Sequence, residues 1–192
     1  MSDWETYYKE HINRKPKEQL IRAVSFCGNK DSALDLGAGT LVESIFLLKS
    51  NFKKVTAMDS SPQSEVFAKK IRSENFSFIL SSFKDFKFEE NSYDLINAQY
   101  ALPFYGKEGF SLFIKNVIDS LKTGGIFVGQ FFGVEDEWNT SDSKLSFQTE
   151  DEFRKLLNSL EIIDFSEEKK RGNTAAGKQK HWHVFHFIAR KK

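Results

Sequence analysis

Strand-like and helix-like segments alternate along most of this sequence, and that alternation limits its fold more than any other feature. Strands separated by helices of about 10–15 residues are typical of a parallel sheet with helices on both faces. The first five strands are predicted at residues 32–37, 54–59, 76–81, 93–100 and 126–133. Helices are predicted at residues 41–50, 62–73, 107–122 and 149–160, and the pair Gly124 and Gly125 is expected to end the third of them.

The last part of the sequence departs from this alternation. Residues 161–170 and 181–191 are two consecutive strand-like segments, and about ten residues join them. Because this connection is too short for a crossover helix, the two segments are expected to form an antiparallel hairpin. The predicted fold is therefore α/β, with a seven-stranded, mostly parallel, doubly wound Rossmann-like sheet, helices on both faces and a reversed terminal strand.

The composition is that of a globular chain of ordinary domain size. The 192 residues are 40% hydrophobic and 29% charged, and the net charge is +1. One domain is expected over residues 1–192, with an N-terminal helical cap or lid at residues 1–28 and a core at residues 29–192. The near-zero net charge and the lack of an apolar run of about 20 residues argue against nucleic acids and membranes as partners. A cytoplasmic monomer or homodimer that binds a small molecule is expected.

A glycine turn follows the first predicted strand, in the segment ALDLGAGT. Ligands of an open parallel sheet bind at the carboxyl ends of the strands. Gly37 and Gly39 lie at that edge beside Asp35, and their lack of a Cβ atom lets a ligand approach the backbone. Asp59 ends the second strand, where a carboxylate can accept hydrogen bonds from both hydroxyls of a ribose. Together these residues predict an adenosine site.

Other interpretations of the same residues stay open at this point. A dinucleotide site is less favoured, because Val42 occupies the position of the third glycine in the G-x-G-x-x-G pattern. Asp59 is also placed to cap the helix that begins near Pro62, and Asp35 is also placed to form a turn. Phe83 is equally compatible with a ligand contact and with the core, since the chain has twenty phenylalanines.

An ordered set of motifs resembles the class I S-adenosylmethionine (SAM)-dependent methyltransferase superfamily. The similarity covers about residues 30–190, and it is closest to small tellurite-resistance-type and related uncharacterised small-molecule methyltransferases. It implies that residues 29–192 form a SAM-binding core and that S-adenosylhomocysteine (SAH) is the product. The segments that carry it are ALDLGAGT, VTAMDSSP, FKDFKFEENSYDLINAQY and LKTGGIFVGQFF.

The resemblance also implies roles for individual residues. Leu41 stands where the family usually has a third glycine, and it is expected to narrow the mouth of the pocket. The adenine-edge acid of the family is replaced by a serine. The implied cofactor contacts are Asp35, Gly37 and Gly39 at the methionine end, Asp59 and Ser60 at the ribose, Ser82 and Phe83 at the adenine, and Asn97 and Ala98 beneath the sulfonium.

Segments that leave the fourth and fifth strands are expected to border the acceptor. Methyl transfer from a sulfonium depends mainly on alignment, so few catalytic groups are needed. The N-terminal segment is expected to close over the cofactor as a lid, with Tyr7 and Tyr8 against the pocket. The candidate lining residues are Tyr8, Gln99, Tyr105, Trp138 and His183, and the candidate catalytic residues are Tyr100 and His181.

The terminal hairpin adds charge and histidine to this edge. Residues 169–180 carry five cations and no acid, and they are expected to form a loop above the cofactor. That position favours an anionic acceptor, such as tellurite, selenite or a small acid, or a thiol, although a merely solvated loop is an alternative. His181 is the candidate proton acceptor, whereas His183 and His186 also suit a structural role. No metal site is expected, since no Cys or acid completes the histidine set.

The predicted function is methyl transfer from SAM to a small-molecule acceptor, either anionic or a soft thiol or chalcogen nucleophile. One alternative is an RNA or protein methyltransferase, although the chain shows no broad basic face. Another is a protein that binds SAM or SAH without catalysis, because methyl transfer requires no invariant catalytic side chain.

Overall fold

One sheet of eight strands organises the computed structural model, which describes residues 14–174 and 177–192. The strands are β1 (Ala33–Leu36), β2 (Val55–Asp59), β3 (Phe76–Leu80), β4 (Tyr93–Ala98), β5 (Leu121–Gly133), β6 (Phe147–Gln148), β7 (Leu160–Asn173) and β8 (Gln179–Lys191). Their order is β3-β2-β1-β4-β5-β8-β7, with the short β6 paired to β5 outside this path. Only β8 runs antiparallel to its neighbours. The predicted sheet with a reversed terminal strand is confirmed, and β6 is an addition to it.

Helices cover both faces of this sheet. Leu20 and Leu47 pack on one face with Val55 and Ile188, and Phe153 packs on the other face with Phe127. Successive residues of a strand point to opposite faces, so one strand supplies both cores. The helices of the described residues are α1 (Glu18–Ser25), α2 (Val42–Lys49), α3 (Pro62–Ala68), α4 (Phe110–Ser120) and α5 (Glu150–Leu156), with a 3-10 turn at Leu102–Tyr105.

The glycine pair that was expected to end α4 has a different role. The helix ends at Ser120, and β5 begins at the next residue. Strand pairing then shifts from Tyr93 opposite Leu121 to Leu95 opposite Ile126. Gly124, with φ +77°, and Gly125 lie within the irregular segment between these two pairs. A bulge favours glycine as much as a helix end does, so the pair alone did not distinguish them.

The terminal hairpin is longer than predicted. Asn173 pairs with Gln179, and Lys169 pairs with His183, so only residues 174–178 lie between the strands. Most of the loop predicted at residues 169–180 therefore belongs to the paired strands β7 and β8. Its side chains alternate between the two faces of the hairpin instead of pointing together at the cofactor edge.

Leu41 keeps the backbone shape of the glycine that it replaces. Its φ is 62° and its ψ is 16°, which is the left-handed region, and it is the N-cap residue of α2. The side chain is buried with Ala38, Ala57 and Ala68. The expectation that Leu41 narrows the mouth of the pocket is therefore wrong, because its side chain packs into this small core.

The strained backbone at Leu41 predicts that a glycine substitution there destabilises the protein less than an alanine substitution, the reverse of the usual order in a helix. Leu41→Gly and Leu41→Ala both remove the buried side chain, but only glycine adopts a left-handed backbone without cost. We expect Leu41→Gly to be more stable than Leu41→Ala by about 1 kcal/mol in urea unfolding. At Ile45, inside α2, alanine is expected to be the more stable by about 1 kcal/mol. The same order at both positions would contradict the strained conformation.

Candidate functional site

A cavity of about 680 Å³ opens at the carboxyl ends of the parallel strands. It lies where β1 and β4 are neighbours and the strand order reverses, the usual ligand position in this kind of sheet. Its volume is within the range of about 300–1,000 Å³ that is typical of small-molecule sites. The predicted site residues on its wall are Gly37, Gly39, Asp59, Ser60, Phe83, Gln99, Tyr100 and Trp138.

The Asp59 carboxylate joins the turns that follow β1 and β2. Its Oδ2 accepts a hydrogen bond from the Gly39 amide at 2.8 Å, and its Oδ1 accepts one from the Ser61 amide at 2.8 Å. The helix-capping alternative is wrong for this residue, because Ser61 is the N-cap of α3 and accepts from the Gln63 amide. Each carboxylate oxygen keeps a further lone pair, so Asp59 can still accept hydroxyl groups from the cavity.

Gly37 allows the first turn to pack closely against the chain that follows β4. Its φ is +69°, and a Cβ atom there would lie 2.6 Å from the Ala101 Cβ and 3.4 Å from the Phe83 ring. A side chain would therefore be both strained and in steric conflict. This close packing places the glycine turn, Phe83 and Ala101 on one continuous wall.

Asp35 lies behind this wall and not on it. The side chain is buried, and it accepts hydrogen bonds from the Ser44 hydroxyl at 2.6 Å and from the Asn97 amide at 2.7 Å. Burial raises the pKa of Asp35 to about 7, and the nearby Glu43 carboxylate adds to the effect. Asp35 and Asn97 were predicted to contact the cofactor. The structure instead places them where they support the residues that line the cavity.

The hydrogen-bonded chain continues from Asn97 across the strand ends. The Gln99 amide donates to Asn97 Oδ1 at 2.9 Å, and Gln130 Nε2 donates to Gln99 Oε1 at 2.9 Å. Gln130 also donates to Gln19 of α1 and accepts from the Tyr100 amide, the latter at 2.7 Å. Tyr100 is held at φ 53°, a conformation that few non-glycine residues adopt.

Two further cofactor predictions do not match the geometry. Ser82 donates its hydroxyl to Asp85 at 2.6 Å within a local turn, and its neighbours Ser81 and Phe83 line the cavity in its place. Ala98 is fully buried in the core of the α4 face. Successive residues of a strand point in opposite directions, so Ala98 points into the core whereas the next residue, Gln99, lines the cavity.

Aromatic side chains line the far half of the cavity. Trp182 lies 5.7 Å from Phe132 and 5.3 Å from Trp138 between ring centroids. Tyr105, which was predicted to line this region, instead stacks on Phe113 at 4.3 Å, outside the cavity wall. We call the five rings that line this half of the cavity the aromatic wall: Tyr100, Phe104, Phe132, Trp138 and Trp182.

Tyr100 was a candidate catalytic residue, and the structure places it on the cavity wall. Burial raises the pKa of Tyr100 to about 12, and the Glu168 carboxylate contributes to this shift. The hydroxyl is therefore protonated at neutral pH. It can donate a hydrogen bond, but it is a poor proton acceptor.

The two histidines predicted at the acceptor lie on the other face of β8. His183 is buried, accepts from the Glu135 amide at 3.0 Å and contacts Glu167 at 2.8 Å. Its ring fills the space above Gly133, where a Cβ atom would lie 2.3 Å away. His181 points to the same side, so neither ring lines the cavity. Trp182, between them, reaches it instead.

A buried lysine fixes two members of the aromatic wall. The Lys180 ammonium lies 3.8 Å from the ring centroids of both Trp138 and Trp182 and forms an ion pair with Asp136. Asp136 also accepts from the Trp138 amide at 2.9 Å. Burial lowers the pKa of Lys180, whereas Asp136 opposes that shift. These contacts hold both indoles in place.

The cations of the hairpin are mostly paired with acids of neighbouring segments. Lys169 contacts Glu135 at 2.7 Å, and Lys170 contacts Glu168 at 2.6 Å. Of the five cations, only Lys170 lines the cavity. The expected concentration of unpaired positive charge above the cofactor is therefore wrong, because the acids that neutralise it lie outside residues 169–180.

The predictions on membranes, metal ions and the N-terminal lid concern parts of the chain outside the cavity. No helix in the described residues is long and apolar enough to cross a membrane. Within residues 14–174 and 177–192, no group of three or more His, Cys, Asp or Glu side chains is arranged to hold a metal ion. The predicted lid residues Tyr7 and Tyr8 lie outside the described residues.

Some cavity residues were absent from the sequence-based candidates. Lys17, Phe132 and Trp182 all line the cavity. The two faces of β8 are nearly equal in hydrophobicity, since Val184 and Phe185 alternate in a run that is apolar on both sides. The hydrophobic pattern of β8 therefore does not indicate which of its two faces points to the cavity, and so it does not place Trp182 there.

Comparison with known proteins shows which proteins the chain resembles. Residues 33–125, which include the glycine turn and Asp59, match the family described as "Methyltransferase domain". These residues are therefore similar to a methyltransferase domain. The resemblance to SAM-dependent methyltransferases is confirmed, as is SAM as the cofactor of this class. None of the curated proteins matches the chain.

Solved structures share the fold at low identity. TehB from Haemophilus influenzae is 19% identical with a TM-score of 0.79, and 100% of this chain and 68% of TehB are covered. The N-methyltransferase NodS from Bradyrhizobium japonicum WM9, solved with SAH, is 16% identical with a TM-score of 0.70 and 99% coverage of both chains. The [4+2]-cyclase SpnF is 15% identical with a TM-score of 0.67, covering 91% of this chain and 80% of SpnF. At such identities the likeness shows the fold alone.

The raised pKa of Asp35 predicts a pH-dependent stability. Between its ordinary value of 3.8 and about 7, the folded protein keeps a proton that the unfolded chain has released. The contribution of Asp35 to the free energy of unfolding should therefore fall as the pH rises through this window, at about 1.4 kcal/mol per pH unit. Asp35→Asn cannot ionise, so its stability relative to the parent should rise by a few kcal/mol from pH 4 to pH 8.

Urea unfolding at several pH values measures this difference. The exposed Asp142→Asn variant is the matched control, and it should track the parent protein. Parallel curves for Asp35→Asn and the parent would show that Asp35 is not held protonated by burial.

Proposed function

We propose that this protein is a class I methyltransferase that transfers the methyl group of SAM to a small-molecule acceptor. The observation that carries the proposal is the division of one cavity into two halves. One half has the glycine turn, Asp59, Ser60 and Phe83, and the other has the aromatic wall. A donor and an acceptor that share one cavity can be aligned for direct transfer.

The first half suits the adenosine and amino-acid ends of SAM. Asp59 has acceptor capacity for the two ribose hydroxyls, and Ser60 lies beside it on the wall. Phe83 offers a ring face for the adenine, and Ser81 offers a hydroxyl near it. Gly37 and Gly39 expose backbone at the end of β1. The donor groups and the missing Cβ atoms therefore fit this cofactor.

The remaining task of the protein is orientation. SAM supplies a methyl group on a positively charged sulfur, which is already activated for attack. Gln99 and Tyr100 follow β4 into the space between the two halves, and Gln130 holds both in place. The Tyr100 hydroxyl is a hydrogen-bond donor for the acceptor, consistent with its high pKa. No general base is assigned among the described cavity residues, so an acceptor that arrives already deprotonated is favoured.

A small acceptor is supported by the lining of the second half. Its walls are mainly aromatic, and Lys170 there is paired with Glu168. A nucleic-acid substrate would favour a broad basic surface in place of this pattern. The likeness in fold to the cyclase SpnF keeps a non-methylating use of the cavity as the alternative that experiment must exclude.

Loss of the Asp59 carboxylate should weaken SAM binding. We expect Asp59→Ala to raise the dissociation constants of SAM and SAH at least about tenfold in isothermal titration, since charge-assisted hydrogen bonds each contribute about 1.5–3 kcal/mol. The exposed Asp142→Ala variant is the control and should bind as the parent does. Thermal melting of each variant separates lost binding from lost folding.

Turnover with methyl-labelled SAM distinguishes the alternatives. The proposal predicts that label passes to low-molecular-weight compounds of a cell extract and that Asp59→Ala reduces this transfer. Label found only in RNA or protein would contradict a small-molecule acceptor. Binding of SAM and SAH without any transfer would favour a non-catalytic role.

A further inference from the structure

The aromatic wall is more extensive than the cofactor half requires. Its five rings line the same cavity as Asp59 and Phe83 and contact one another, with centroids 6.2 Å apart for Tyr100 and Trp182 and 6.5 Å apart for Phe104 and Phe132. Phe132 is buried and contacts both Trp138 and Trp182, at 6.0 Å and 5.7 Å. Aromatic side chains of this density provide flat, polarisable surfaces for an aromatic ligand.

The wall is built to keep its shape. The Lys180 ammonium is held between the Trp138 and Trp182 indoles by its ion pair with Asp136. On the other side, the backbone of Tyr100 is fixed by its hydrogen bond to Gln130. Rings that are fixed before the ligand binds lose little conformational entropy on binding, so they contribute efficiently to affinity. Lys180 is therefore a positioning residue for this wall.

Among the described residues near the wall, one cation forms no salt bridge. Arg14 and Glu43 form two hydrogen bonds, at 2.6 and 2.5 Å, and Lys170 pairs with Glu168. Within the described residues, Lys17 has no carboxylate within salt-bridge distance, and its ammonium lies 5.1 Å above the Tyr100 ring. Partial desolvation lowers the pKa of Lys17 and Arg14 adds to the effect, whereas the Glu43 and Glu168 carboxylates oppose it. A bound anion closer to the ammonium than these carboxylates would stabilise its charge further.

We propose that the acceptor is a planar aromatic molecule with one negatively charged oxygen or sulfur, its ring against the aromatic wall and its charge near Lys17. The inference rests on the proposed function and specifies its acceptor. A phenolate or thiolate has this chemistry. Simple inorganic oxyanions have the charge but no ring for the wall.

The transfer step needs no base for such an acceptor. A lone pair on the anionic oxygen or sulfur forms the new bond to the methyl carbon, and the bond between that carbon and the sulfonium sulfur breaks. The electron pair of the broken bond stays on the sulfur, which becomes a neutral thioether. The negative charge of the acceptor and the positive charge of the sulfonium cancel. The acceptor proton has already passed to water before binding.

Titration of the SAH-bound protein with matched probes tests the inference. The probes are para-nitrophenolate, the neutral para-nitrobenzyl alcohol of similar ring shape, and selenite, at a pH where para-nitrophenol is ionised. We expect para-nitrophenolate to bind at least about tenfold more tightly than either of the others. Lys17→Met should weaken para-nitrophenolate about three- to tenfold and leave the alcohol within about twofold.

Two further variants define the controls. Trp182→Leu should weaken both aromatic probes, whereas the exposed Lys54→Met should change neither. If SAH binds but para-nitrophenolate binds no better than the alcohol, or selenite binds best, the inference is overturned while the proposed function stands. An equal effect of Lys17→Met on both aromatic probes would also overturn it. If SAH itself does not bind, the proposed function fails first.

Discussion

A chain of buried hydrogen bonds holds together the edge of the sheet on which the site depends. It runs from Ser44 and Asp35 through Asn97 and Gln99 to Gln130, and so it joins the ends of β1, β4 and β5. Each of these five side chains has a partner, which makes this arrangement less costly than an alternative with an unpaired group. The floor of the cavity is therefore fixed before any ligand enters.

The two halves of the cavity are fixed by different means. The cofactor half depends on backbone: two left-handed glycines and the carboxylate of Asp59, which ties their turn to the start of α3. The acceptor half depends on side chains, above all the lysine that is held between two indoles. Backbone recognition suits a constant ligand, whereas a side-chain wall can change with the substrate. If the proposed function holds, this division lets the cofactor half stay constant while the acceptor half differs between substrates.

The sequence predicted the sheet and the glycine-turn half of the cavity better than the aromatic wall. The alternation of strands and helices and the left-handed turn are local properties, and Gly37 and Asp59 lie where local pattern places them. The placement of His183 and Trp182 depends on which face of β8 meets which helix, and both faces are apolar. The pairing of Lys169 with Glu135 and of Lys180 with Asp136 depends on acids from the chain after β5, which are distant in sequence. Local pattern carries no information on such contacts.

A crystal structure of the protein with SAH tests the central claim most directly. The account predicts that the ribose hydroxyls lie within hydrogen-bond distance of Asp59, that the adenine lies beside Phe83, and that the sulfur faces the space in front of Tyr100. SAH bound elsewhere, or bound in this cavity with its ribose away from Asp59, would contradict it.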